Sequence, residues 1–310
     1  MKKSISLFLF LLAALSLFSQ KAIIPFVINH NGLIVLEYPV KNIKLHFVYD
    51  TGMTFNILDK TISKELDFAC VNNDKSYTLY SINGVPIDIM LYDGVRPMKQ
   101  DTVFWGSWLL SDMKVTSARL NLGENIDGIV GYCSDDIVEF NFPQQELKVW
   151  KKLPDDYTDK MVRVDLVDSD SGYRAKYRIG PYKTCLNSQL TVLDTLNLKP
   201  NLLLDTGNPL YISMAVYDSM LYKSLIDYKQ HTVKTRGDNF PTTKLSVPGL
   251  NLDTAFTKLH IFPKCYENKD GFNPFNYKIG GLLGVKFLQM YRRVIIDRKR
   301  QLAYFEKYIN

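Results

Sequence analysis

Short apolar runs, mostly four to eight residues long and broken by Gly, Asn, Asp and Pro, dominate the pattern of the chain. Runs of that length, rich in Val, Ile, Leu, Tyr and Phe, predict β-strands joined by turns. Pro25-Phe26-Val27-Ile28 meets Asn29-His30-Asn31-Gly32 and returns through Leu33-Ile34-Val35-Leu36, a hairpin whose turn residues accept left-handed backbone. A second hairpin is expected from Val162 to Val167, through Asp168-Ser169-Asp170-Ser171-Gly172, to Tyr173 through Ile179. Strand pairs follow at 137–142 with 147–150 and at 293–297 with 302–305. Helical spacing is clearest from Ala215 to Lys229, behind Ser213 as N-cap, and a shorter helix is predicted from Asp59 to Leu66. The fold class is mainly β with a few short helices.

The pattern occurs twice. Leu45-His46-Phe47-Val48-Tyr49 runs into Asp50-Thr51-Gly52, and 155 positions later Leu202-Leu203-Leu204 runs into Asp205-Thr206-Gly207. One Asp-Thr-Gly is expected by chance in about one chain of this size in twenty; two, each closing an apolar run, form a repeat. Downstream, Ile129-Val130-Gly131 matches Leu282-Leu283-Gly284, and each copy ends in one of the strand pairs. The expected organisation is therefore two homologous lobes, 21–155 and 156–310, meeting near the polar stretch Lys151 to Asp156.

Residues 1–20 stand apart. Lys2 and Lys3 precede a largely apolar stretch from Ile5 to Phe18, shorter than a comfortable membrane span, with small residues at Ser16 and Ser19. This reads as a secretory signal, so the protein is expected to be exported, periplasmic or extracellular, with no stable membrane span after signal removal. The remainder has ordinary globular composition, 46% hydrophobic and 23% charged, which excludes disorder and a disulfide-dense miniprotein. The net charge of +6 is spread along the chain without a Lys/Arg block, so no nucleic-acid partner is expected. Cys70, Cys133, Cys185 and Cys265 allow one bridge per lobe (Cys70 with Cys133, Cys185 with Cys265) or serve as buried thiols. Without a C-x-x-C pair or clustered histidines, no metal or cofactor is expected. His46, in the strand before Asp50, reads as an ordinary strand histidine that could reach the site.

An acid at the end of a buried apolar strand is costly unless it is used. A pseudo-twofold axis between the lobes would bring Asp50 and Asp205 side by side, and two carboxyls so close share a proton. The charged member then takes a proton from a shared water while the protonated one polarises a peptide carbonyl.

Over nearly all of the mature chain the sequence resembles the bilobal pepsin-like aspartic proteases, with Asp-Thr-Gly motifs that also look retropepsin-like. The resemblance implies two pseudo-twofold-related double-psi β lobes and a catalytic pair of Asp50 and Asp205. It implies that Thr51 and Thr206 brace each other's loops and that Gly52 and Gly207 give amides to the carboxylates. Ile129, Val130, Gly131, Leu282, Leu283 and Gly284 would pack behind the loops. The covering flap is expected within 76–97, with Tyr77, Tyr80 and Tyr92 as its candidate tyrosines and Asn83-Gly84 or Asp93-Gly94 as its tip. Where pepsins place Ser or Thr directly after Asp-Thr-Gly, this chain has Met53 and Asn208. The expected function is a monomeric exported endopeptidase acting on a peptide or protein substrate. The alternative is a catalytically silent peptide-binding protein on the same scaffold.

Overall fold

The computed structural model describes residues 20–40, 43–53, 55–65, 69–70, 76–80, 86–95, 108–132, 136–167, 185–187, 189–192, 196–216, 218–220, 223, 239–240, 243–247, 249–250, 255–256, 259–262 and 279–309. The first half contains β1 (Gln20–Ile28), β2 (Ile34–Val40), β3 (Ile43–Asp50), β4 (Asn56–Asp59), β5 (Ala69–Cys70), β6 (Ser76–Tyr80), β7 (Pro86–Val95), β8 (Trp108–Ser111), β9 (Gly128–Gly131), β10 (Ile137–Asn141) and β11 (Glu146–Trp150). The second contains β12 (Val162–Asp165), β13 (Cys185–Asn187), β14 (Gln189–Val192), β15 (Leu196–Leu198), β16 (Asn201–Leu204), β17 (Ile212–Val216), β18 (Asn239–Phe240), β19 (Thr243–Ser246), β20 (Ala255–Phe256), β21 (Leu259–Phe262), β22 (Ile279–Leu283), β23 (Tyr291–Asp297) and β24 (Leu302–Lys307). Short helices α1 (Lys60–Glu65), α2 (Met113–Leu120) and α3 (Val285–Leu288) interrupt them. Asp59 starts α1, its Oδ1 accepting from the Thr61 N–H at 2.7 Å, while its Oδ2 takes the Met113 N–H at 2.9 Å and seats α2.

The duplication is visible in strand order. In the first half β9 lies between β3, its parallel neighbour, and β4, its antiparallel one; in the second β22 lies likewise between β16 and β17. The registers correspond: Val48 faces Ile129 and Tyr49 faces Val130, while Leu203 faces Leu282 and Leu204 faces Leu283. The order β2-β3-β9-β4-β8-β7 is thus matched by β13-β16-β22-β17-β21-β18. This is a mainly β, bilobal arrangement.

The halves are joined by a continuous antiparallel run, β12-β24-β23-β10-β11-β1, with β10 of the first half paired to β23 of the second. Its inner face, including Val138, Phe140, Val294 and Ile296, enters a buried cluster shared with Tyr49, Val130, Leu204 and Leu283. On the other face Ile137, Trp150, Met161 and Ile295 form a smaller cluster. There the fully buried Glu139 accepts from Trp150 Nε1 (3.1 Å) and Tyr157 Oη (3.0 Å), with Arg293 at 3.5 Å. Burial, then the Glu139 charge, pushes the Tyr157 phenol up to about 12. A buried acid is tolerable when it is paired in this way.

Both predicted terminal strand pairs and the first hairpin form as expected. The long helix begins differently. Ser213 and Ala215 lie inside β17, held between β22 and β21, and helical residues appear only at 219, 220 and 223 among those described. Pairing on both sides outweighs a weak helical periodicity there. Asp93-Gly94 is not a hairpin tip but the interior of β7, paired with Leu109 and Trp108 of β8. The hairpin β6–β7 instead closes beyond Tyr80 and Pro86, which face each other, so Asn83-Gly84 falls in its connection, outside the described residues. Residues 1–19, the turn 168–172 with its returning strand, and the side chains of the four cysteines also lie outside them. Among the described residues no helix is long and apolar enough to cross a membrane.

Candidate active site

Asp50 ends β3 and Asp205 follows β16, each delivered by a buried apolar strand into a tight turn. The turns are bonded to each other through their threonines. The Thr51 hydroxyl donates to Leu204 O (2.7 Å) and accepts from the Thr206 N–H (3.0 Å). Reciprocally, the Thr206 hydroxyl donates to Tyr49 O (2.6 Å) and accepts from the Thr51 N–H (3.0 Å). Both side chains are buried. Serine keeps this geometry, whereas valine at 206 removes both bonds of the hydroxyl, to Tyr49 O and from the Thr51 N–H, at about 1–3 kcal/mol each. Thr206→Ser is therefore expected to melt near wild type and Thr206→Val many degrees lower, read by calorimetry; equal melting of the two would remove the grip as a stabilising feature.

The glycines make the approach possible. The Gly52 N–H donates to Asp50 Oδ1 and the Gly207 N–H to Asp205 Oδ1, both at 2.8 Å. A Cβ at Gly207 would lie 2.6 Å from Asp50 Cγ, and one at Gly52 would lie 3.0 Å from Asp205 Cγ. Each turn thus packs its glycine against the opposite carboxyl. Behind them, a Cβ at Gly131 would lie 2.7 Å from Met53 O, and one at Gly284 would overlap the carbonyls of Asn208 and Leu210. Ile129, Val130, Leu282 and Leu283 are buried beside these glycines, on the strands that run between the two arms of each half.

Because each carboxyl lies against the glycine of the opposite turn, the two acids sit side by side and each alters the other's ionisation. Asp205 is buried; Asp50 keeps some solvent access, yet desolvation is the largest influence on both and pushes both upward. For Asp50 this is opposed by the bond from Asp205 and by the amides of Gly52 and Met53. For Asp205 the charge of Asp50 and the donated hydrogen bond add to burial, with the Gly207 amide opposing, so its carboxyl stands well above the usual range. Asp205 is thus pushed up further than Asp50, and the two titrate as a pair.

Residues after each motif differ between halves. Met53 contributes its main-chain amide to Asp50 and packs its side chain on the first-half core. Asn208 Oδ1 accepts from the Leu210 N–H (3.2 Å) and from Ser213 Oγ (3.3 Å), while its buried Nδ2 has no partner among the described residues. Asn56, absent from the sequence expectations, is fully buried and accepts the Gly131 N–H at 3.0 Å; a polar residue directly before the apolar pair Ile57-Leu58 is its signal. In the second half the Gly284 N–H is taken instead by Tyr211 O (3.1 Å). His46 turns to Asp127, to which its main-chain N–H donates (2.8 Å) and near which its ring lies (3.5 Å). Of the flap candidates, Tyr92 is half-buried on β7 and packs against the shared core. Tyr77 and Tyr80 lie on β6, with side chains outside the described residues.

No family model matches the sequence, and no curated protein does. Solved structures do. Conglutin gamma, a basic 7S globulin from lupine seeds, superposes with a TM-score of 0.51 at 10% identity, over 92% of this chain and 94% of its own. Basic 7S globulin from soybean (TM-score 0.47) and edgp (0.49) match at the same identity and coverage. At this identity the likeness concerns the fold.

Proposed function

We propose that the chain is an exported aspartic endopeptidase that takes an extended peptide between its halves. The observation that carries this reading is the pair of carboxyls, one from each half, set side by side by reciprocally gripped turns whose glycines pack on the opposite acid. A water held between them loses a proton to charged Asp50 as its oxygen attacks the peptide carbonyl, whose oxygen receives the proton of Asp205. The resulting gem-diol collapses as a proton passes to the nitrogen, the C–N bond breaks, and acid and amine leave with the pair again holding one proton. The chemistry needs no covalent intermediate.

A second reading, a silent peptide-binding protein, has its own support. Conglutin gamma carries the name of a globulin and not of a peptidase, so a chain of this fold need not cut. That neighbour favours the silent scaffold, and the retained pair of acids favours the enzyme, since a binder has no use for their desolvation cost. The experiment is cleavage of a peptide library by purified protein from pH 3 to 8, with and without pepstatin, beside Asp50→Asn. Pepstatin-sensitive cleavage lost in the variant supports the enzyme; wild type and variant equally inert while still binding peptide support the scaffold.

Neither carboxyl receives a side-chain hydroxyl from the residue following its motif, because those residues are Met53 and Asn208. Fewer donors leave the ionised forms less stabilised and raise the working range. The pH–rate profile is therefore expected to peak at less acidic pH than a digestive pepsin's; a maximum well below about pH 4 contradicts this.

A further inference from the structure

The loop carrying Asp205 is held from two directions. From behind, the Val285 N–H donates to Asn208 O (2.8 Å) and the Gly284 N–H to Tyr211 O (3.1 Å). On another side it meets the turn of the first hairpin, which belongs to the opposite half of the chain. A Cβ at Gly32 would lie 3.1 Å from the Cβ of Pro209, four residues beyond Asp205.

That turn is internally tied and externally anchored. Asn29 Oδ1 accepts from the Asn31 N–H (3.1 Å) and the Leu33 N–H (3.0 Å), and the Gly32 N–H donates to Asn29 O (2.9 Å). The two asparagine amides fasten it to the loop after α2: Asn29 Nδ2 donates to Leu122 O (2.7 Å) and Asn31 Nδ2 to Asn121 O (2.9 Å). Gly123, at φ 109°, lets this happen, since a Cβ there would lie 2.9 Å from Asn29 Nδ2. With its base fixed, the turn presents Gly32, at φ 81°, to Pro209.

We propose that the turn Asn29–Gly32 is a positioning element for Asp205, a strut from the first half that fixes where the second catalytic loop sits. Gly32 is required both by its backbone conformation and by the closeness of Pro209. The carboxyl pair is sensitive to such a shift because Gly207, two residues before Pro209, already packs on Asp50. Displacements of an ångström at reacting groups cost about a hundredfold in rate.

The catalytic readout rests on the endopeptidase reading, so the test includes one that does not. Gly32→Val, with Pro209→Gly alone and combined, is assayed for kcat, KM, melting temperature and ¹³C-carboxyl titration of Asp50 and Asp205. Gly32→Val is expected to lower kcat about tenfold with KM within about twofold, and to move the carboxyl titration. Adding Pro209→Gly should restore kcat to within about threefold, and the titration with it, while the melting deficit from a strained φ persists. A folded Gly32→Val with wild-type kcat and titration, or a deficit that Pro209→Gly does not relieve, overturns the strut. If wild type cleaves nothing, the endopeptidase reading fails and the titration alone decides the strut, an unmoved titration overturning it. Gly32→Ala serves in the same comparisons if valine prevents folding.

Discussion

On the proposed endopeptidase reading, Asp50→Asn is expected to lower kcat for peptide cleavage by at least about 10³-fold, and Asp205→Asn to do the same. The two losses arise differently. Without the Asp50 carboxylate nothing accepts the proton of the attacking water; without the Asp205 acid nothing protonates the carbonyl oxygen. Because the pair acts as one unit, the double variant should lose no more than either single one. Both substitutions are nearly isosteric and leave the threonine grip untouched, so the variants should fold. Steady-state kinetics on the best library peptide checks this, and a single variant retaining activity within about tenfold of wild type contradicts it.

The second large effect is on stability, and it holds whether or not the protein cuts peptides. Asp205 binds its proton more tightly folded than unfolded, where an aspartate titrates near about 3.9. Between that value and its raised folded value the native state holds more protons than the unfolded one, so stability falls as pH rises. The contribution is fully present below the unfolded pKa and lost as pH climbs through the folded one, at about 1.4 kcal/mol for each unit of separation. Wild type should therefore lose melting temperature on going from about pH 4 to pH 8, other groups being common to all variants. Asp205→Asn and Asp50→Asn should lose less, becoming the more stable proteins at pH 8. Melting curves across that range check it; parallel slopes for wild type and both variants contradict it.

Much of the fold and of the carboxyl pair is legible in the sequence because it rests on local signals that occur twice. The strand-closing Asp-Thr-Gly turns, the apolar-apolar-glycine strands behind them and the terminal strand pairs each carry their own composition, and the repeat ties them together. Ser213 and Ala215 differ from expectation because their local preference resembles a capped helix, whereas their state is set by β21 and β22, nearly fifty and seventy residues downstream. Asp93-Gly94 has turn composition, but β8 pairs straight across it. Glu139 looks like the solvent-facing member of an alternating strand until Tyr157 and Arg293 cover it from the connecting segment and the other half. The contact between Gly32 and Pro209 has no local signature, since it joins two turns 177 residues apart that only the assembled halves bring together.

Carboxyl titration by ¹³C NMR on protein labelled at aspartate tests the central claim most directly. One proton shared by Asp50 and Asp205 predicts a resonance that stays protonated well above the ordinary aspartate range and disappears in Asp205→Asn. In Asp50→Asn the titration of Asp205 should fall back toward lower pH, because the neighbouring charge is gone. Two aspartates titrating independently near about 4, each indifferent to loss of the other, would contradict a shared proton.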